Sequence, residues 1–359
     1  MKKYFVLFAL PFLLYTCNEE EDDNNDNGQP LSNIVEVAND IETPTTWYAD
    51  SVYLITAYDL WVVSSLTIQP GTVVKFSSNV GLVVSDEGAI LANGTSSKPI
   101  VFTSVKDDSH GGDVNGDGSA TSPSVADWEN ILVETNGSVF SYCEFYYGGS
   151  GSYLSVLEIY GSSASITHCL FVHNKGGKDG DFYYGALDVS NASLNTVVAN
   201  NTFYLNTLPL SIDCAMSIGN TNTFFNPQNP SEGNTMNGIF TYNYDDIPAA
   251  TSYTETEVPF VLSDNDLWIE ASGSLTLASN VVIKFTSESA LVVGMGGVLN
   301  QNATNAFTSF KDDSRGGDTN GDGSATSPSD GDWIGIYDDS GVVPYPHYYL
   351  WSNIHYDSY

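Results

Sequence analysis

Phe140-Ser-Tyr-Cys143-Glu-Phe145, Ile166-Thr-His-Cys169-Leu-Phe171 and Val198-Ala-Asn-Asn201-Thr-Phe203 are three versions of one phrase, and a fourth begins at Ile218 and closes on Phe224. The phenylalanines lie 26, 32 and 21 positions apart. Each phrase follows a second short apolar run, Leu157-Glu-Ile159, Leu187-Asp-Val189 or Leu210-Ser-Ile212, with Gly, Ser and Asn between. A period in the twenties holding several short strands is the mark of a parallel β-solenoid, in which coils stack and like residues form ladders. An all-β fold follows, with the phenylalanines inside it. Cys143 and Cys169 hold one place on successive coils and are expected to act as small apolar core residues. His168 falls where neighbouring coils have Tyr142 and Asn200, the position of a solvated turn.

With Leu66-Thr-Ile-Gln-Pro-Gly-Thr-Val-Val-Lys-Phe76 and Gly94-Thr-Ser-Ser-Lys-Pro-Ile-Val-Phe-Thr-Ser104, these phrases resemble the right-handed parallel β-helix family, the pectin-lyase-like fold, and the opening coils of bacterial surface β-helix proteins. The resemblance implies a right-handed parallel β-helix. It leaves activity open, because the fold hosts lyases, hydrolases and adhesins alike.

The chain is also written twice. Residues 106–128 return as residues 311–333 with 19 of 23 positions identical, preceded by matching pairs such as Val74-Lys-Phe76 with Ile283-Lys-Phe285. Within each copy, Asp113-x-Asn115-x-Asp117-Gly118 and Asp318-x-Asn320-x-Asp322-Gly323 alternate hard oxygen donors before a turn glycine, the first half of a calcium loop. The twelfth position, where a bidentate Glu would close the shell, is Ser124 or Ser329. The remaining oxygens are therefore expected from Asp107, Asp108 and Asp127, and from Asp312, Asp313 and Asp332, around one Ca²⁺ per copy. No helical period flanks either loop, so both are expected to protrude from the solenoid.

Residues 1–16 carry Lys2 and Lys3 before an apolar run too short to span a bilayer, which reads as a secretory signal. Leu14-Tyr15-Thr16-Cys17 resembles the lipobox of bacterial lipoproteins, which implies a lipid on Cys17. The stretch after it, Asn18-Glu-Glu-Glu-Asp-Asp-Asn-Asn-Asp-Asn27, resembles the acidic export signal of lipoproteins facing outward from the outer membrane. Residues 17–43 are expected to be a disordered acidic tether, 44–250 a first β-helix module and 255–359 a shorter second one. A solenoid closing near Trp333 exposes a sheet edge unless the aromatic cluster 345–351 covers it, the alternative being a chain that continues. Ten basic against 44 acidic residues give a net charge of −34, which repels nucleic acid and leaves membrane contact to the lipid anchor. Three cysteines beside Cys17 argue against a disulfide framework.

Candidates for catalysis are few. The five histidines have no metal-site spacing, and no nucleophile motif appears. The coil with the 32-residue spacing holds Lys175, Lys178, Asp179 and Asp181, expected on a protruding insertion. Polysaccharide lyases of the resembled fold use a Lys or Arg base beside Ca²⁺, and these four residues are the candidates for such a site. A glycosidase would instead need two carboxylates facing across a cleft. The expected function is a monomeric, non-catalytic, calcium-stabilised surface lipoprotein of adhesin-like or glycan-contacting kind, with a polysaccharide lyase or glycoside hydrolase as the alternative.

Overall fold

The computed structural model describes residues 33–359 except 152–153, 181, 243–245, 264, 340 and 342–345. The signal segment, Cys17, most of the tether, Asp181 and Tyr345 therefore lie outside the described residues. Every regular element among the described residues is a strand, and the strands wind as a right-handed parallel β-helix. Among the described residues, sheet A has seven strands, from Ile34–Val37 to Thr202–Tyr204. Sheet B has ten, from Leu60–Val62 to Ala306–Ser309, and sheet C six, from Thr45–Trp47 to Val197–Ala199. The coil starts earlier than the expected boundary at 44. Ile34–Val37 pairs in parallel with Val52–Ile55 and sends Val37 into the core, so this end of the tether segment is strand.

Period-2 alternation turns one apolar residue in two toward the interior. Phe145, Phe171 and Phe203 are in register on adjacent strands and fully buried. Their rings stack at 4.8 Å, with Phe102 and Phe224 continuing the column at 5.0 and 5.5 Å. These separations follow the strand spacing of about 4.8 Å, so the column is the sheet repeat expressed in side chains.

Two hydrogen-bond ladders line the edges of sheet A. At one edge Tyr142, His168 and Asn200 adopt left-handed φ values of 49°, 56° and 58°, a conformation that costs about 1 kcal/mol or more for a residue with a Cβ. The residue after each points inward and donates to the coil above. Asn201 Nδ2 reaches Ile166 O at 2.9 Å and Asn222 Nδ2 reaches Val198 O at 3.2 Å. Cys169 Sγ reaches Phe140 O at 3.3 Å and Cys143 Sγ reaches Ala92 O at 3.4 Å. The buried cysteines thus do the asparagine's work with a weaker S–H donor, rather than filling space alone. At the other edge Asn174, Asn206 and Asn234 form a second ladder, donating to Phe145, Phe171 and Phe203 carbonyls.

The expected modules 44–250 and 255–359 share one sheet, because Ile239–Tyr242 pairs in parallel with Phe260–Leu262 inside sheet B. The repeat is, however, displaced by one face. Val52–Ile55, Val73–Phe76 and Ile100–Ser104 lie in sheet A, whereas their counterparts Phe260–Leu262, Val282–Phe285 and Ala306–Ser309 lie in sheet B. Sheet A ends where Glu257 Oε2 accepts the Phe224 N–H at 2.9 Å. The later coils add a three-stranded sheet beginning at Ala250–Tyr253 and a four-stranded one whose last strand, His347–Tyr348, runs antiparallel along Gly335–Asp339 and occupies that edge.

The outer face of sheet B is covered from Glu158 to Lys284, while Trp61, Val83 and Leu132 on its first strands reach solvent. The insertion expected to protrude forms an antiparallel hairpin, Gly177–Asp179 with Phe182–Tyr184, that folds back onto the sheet. Tyr183 stacks on Phe240 at 4.7 Å, Phe310 meets both rings edge-on, and Phe182 stacks on Tyr242 at 5.5 Å, so these two aromatics of the hairpin strand draw it down. Length alone had suggested protrusion, but Phe182-Tyr-Tyr184 offers too much apolar area to leave in water. Near the hairpin, Glu158 and Asp188 sit side by side on paired strands, 4% and 1% exposed. Asp188 accepts from Ser211 Oγ and Ser190 N, while Glu158 Oε2 has no hydrogen-bond partner. Burial first, then the neighbouring Asp188, push the Glu158 carboxyl up to about 8.

Glu158 therefore keeps its proton in the folded chain while an unfolded glutamate loses it near 4.5. Stability is highest below that value, falls by about 1.4 kcal/mol per pH unit from this group as pH rises toward 8, and levels out above. In urea unfolding between pH 5 and 8, Glu158→Gln is expected to flatten this slope; an unchanged slope would assign it to other groups.

Candidate metal centres in the repeated loops

Each Asp-rich loop leaves the coil after a buried strand and returns through a tryptophan. Trp128 stacks on Phe76 at 4.0 Å and donates to Tyr146 O, and Trp333 stacks on Phe285 at 3.9 Å and donates to His355 O. Between these anchors the loop lies over the outer side of the sheet. A Cβ on Gly111 would come within 2.9 Å of Val52 Cγ2, and one on Gly316 within 2.3 Å of Pro259 Cγ, so glycine is required where loop backbone meets sheet.

The root of the loop is a carboxylate network. Asp107 accepts from Thr103 Oγ1 at 2.7 Å, Ser109 N at 3.1 Å and His110 Nδ1 at 2.7 Å. In the second copy Asp312 accepts from Thr308 Oγ1, Ser314 N and Arg315 Nη1, the last at 2.9 Å. Burial acts to raise both carboxyls, but the donors prevail and hold them below the ordinary aspartate range. Asp127 closes the loop by accepting from Lys106 Nζ, Ser104 Oγ and Ser124 N, as Asp332 does from Lys311, Ser309 and Ser329. This also explains the serine at the twelfth position. Asp107, Asp127, Asp312 and Asp332, expected among the metal ligands, are thus committed to donors at the loop base and are not brought to the acidic tip.

Sequence reasoning missed the lysine underneath. Val74 and Phe76 point into the core, so Lys75 points outward, yet it is fully buried because the loop covers it. Its Nζ donates to Asp107 O at 2.7 Å and Gly112 O at 2.6 Å. Lys284 repeats this with Gly317 O at 2.6 Å and Thr319 Oγ1 at 2.7 Å. Burial lowers both ammonium groups, Lys284 to about 8, against the pull of nearby aspartates. The matching Val-Lys-Phe and Ile-Lys-Phe phrases were the available signal.

At the tip, Asp113 folds the turn by accepting from Gly116 N, Asp117 N and Gly118 N at 2.8, 3.2 and 2.8 Å. Asn115 donates to Asp117 Oδ2 at 3.0 Å and accepts from Asp117 N, so it braces the turn. Asp318, Asn320 and Asp322 make the same contacts. One carboxylate oxygen each from Asp108, Asp113 and Asp117 lies within 4.8 Å of the others, and Asp313, Asp318 and Asp322 match them. Asp108 Oδ1 and Asp313 Oδ1 are buried without any hydrogen-bond partner. Desolvation, then Asp113, raise Asp108 while Lys75 opposes them; Asp313 behaves alike. Three hard oxygens, no nitrogen or sulfur, and an orphaned buried carboxylate oxygen fit a Ca²⁺-type cation better than a transition metal.

Of the alternative catalytic residues, Lys178 and Asp179 lie on the hairpin and Lys175 just before it, and Asp181 is outside the described residues. Lys178 Nζ lies 4.9 Å from the ring centre of Tyr183, its partner in the hairpin, and Asp179 is exposed. Lys175 is tied through its backbone N–H to Gly148 O. The Glu158 and Asp188 pair is shut off from solvent, so it does not face a cleft as a hydrolase pair must.

Comparison with curated proteins returned no match, and comparison with solved structures returned none. A family model described as a pectate-lyase-like beta helix domain matches residues 39–122, the opening coils and most of the first Asp-rich loop, so in fold this chain is a right-handed parallel β-helix similar there to that domain.

Proposed function

We propose that this chain is a non-catalytic surface lipoprotein whose β-helix is clipped by two structural Ca²⁺ ions and contacts glycans at the cell exterior. One observation carries the reading. The same loop, lysine and aspartate trio is built once over sheet A and once over sheet B. A catalytic metal must face one particular groove, whereas a clip is needed wherever a long excursion leaves a coil. The exchange of His110 for Arg315 agrees, since each pairs with the buried Asp107 or Asp312. That role needs a nitrogen donor for the buried carboxylate, which imidazole and guanidinium both supply, and not a base that exchanges protons with substrate. The alternative is a lyase or hydrolase of the same fold, in line with the pectate-lyase-like match.

Calcium at 100 times its Kd adds about 2.7 kcal/mol of stability per site that the unfolded chain lacks. Chelation is therefore expected to lower the melting temperature, and Asp117→Ala with Asp322→Ala to abolish the difference. A melting temperature indifferent to chelator would remove calcium from the account.

If Cys17 carries the lipid and the acidic run after it directs export, Cys17→Ser is expected to move the chain from the membrane to the soluble fraction. Protease added to intact cells is expected to degrade the wild-type protein. Full protection would contradict the surface location.

A further inference from the structure

We infer that sheet A carries a binding groove for a neutral oligosaccharide, which gives the glycan-contacting reading above a site and a ligand class. The groove, of about 390 Å³, runs along the outer face of sheet A and is lined by Tyr142, His168, Asn200, Tyr204, Asn226 and Gln228 among others. One wall is the hairpin Phe225–Asn226 with Asn229–Gly233. The opposite wall is the ladder edge, where the left-handed backbone of Tyr142, His168 and Asn200 turns their side chains outward one above another.

The chemistry of this lining suits a sugar. Tyr142 and His168 stack at 4.7 Å and 17°, so their faces pair with each other and their edges line the groove. Among the described residues, no hydrogen bond engages the side chains of His168, Asn200 or Gln228, which leaves an imidazole and two amides for hydroxyl groups. Successive rungs are about 4.8 Å apart, close to the length of one sugar in an extended glycan, so neighbouring rungs address neighbouring sugars. Charge selects the class. No Lys or Arg lines the groove, and the nearby charged groups are Glu144, which accepts from Tyr146 Oη at 2.9 Å, and Glu232, held by Asn226 and Asn229. A uronate or sulfated chain meets repulsion there, a neutral one does not. The outer face of sheet B around Phe240 and Val261, by contrast, is filled by the Tyr183 hairpin and Phe310 at the root of the second loop.

The test is calorimetric titration of the full chain with neutral hexasaccharides of glucan, mannan and xylan, beside hexagalacturonate. Asn200 shows that asparagine fits this backbone, so the double variant Tyr142→Asn, His168→Asn should keep its melting temperature. At least one neutral hexasaccharide is expected to bind, and to bind the double variant about tenfold or more weakly. Equal binding by the variant would overturn the groove while leaving a glycan-contacting protein. Binding of hexagalacturonate alone would overturn the ligand class, and no binding by the wild type would overturn both the groove and the reading it rests on.

Discussion

An ammonium buried under each acidic loop is the constraint on which the loops depend. Lys75 and Lys284 are fully covered by chains carrying aspartates that would otherwise repel one another, and they hold loop oxygens at 2.6 to 2.7 Å. A buried charge is tolerated only when hydrogen bonds and counter-charges offset its lost hydration. Here two such bonds and the flanking carboxylates serve that end. Removing the lysine would strand loop carbonyls, and opening the loop would expose the lysine, so sheet and loop order each other. The unit duplicated in this chain is therefore a strand lysine, a loop and a returning tryptophan together.

Displacement of the repeat by one face decides what the surface offers. Sheet B runs through both copies as a spine, and the second loop lands on it beside the Tyr183 hairpin, burying Leu208, Phe240 and Val261 in a satellite core. Sheet A stops at Glu257, and its lower coils keep an open, polar and aromatic outer side. The two asparagine ladders lie at the edges of this same sheet, holding left-handed turns that would be strained alone.

Much of this was legible in the residues. The phenylalanine column, the duplicated loop and the turn place of His168 follow from spacing alone, because a parallel coil repeats its register. What spacing cannot tell is which way a side chain on a loop faces. Asp107 and Asp108 are neighbours in sequence, yet one is spent on Thr103 and His110 while the other presents a bare oxygen to the tip. The role of Lys75 is hidden in the sequence because nothing local says that a loop 32 residues later will cover it. Cys143 and Cys169 read as packing because their donation to the coil above is a tertiary fact. The hairpin's length points outward, but its aromatic strand, which meets Phe240 and Phe310 only in the fold, brings it back.

The central claim, that each loop tip is a metal clip resting on a buried lysine, is tested most directly by anomalous scattering from crystals grown with calcium. Two peaks are expected, each about 2.3–2.6 Å from carboxylate oxygens of Asp108, Asp113 and Asp117 or of Asp313, Asp318 and Asp322. Absence of both peaks, with Asp108 and Asp313 paired instead to protein donors, would contradict it.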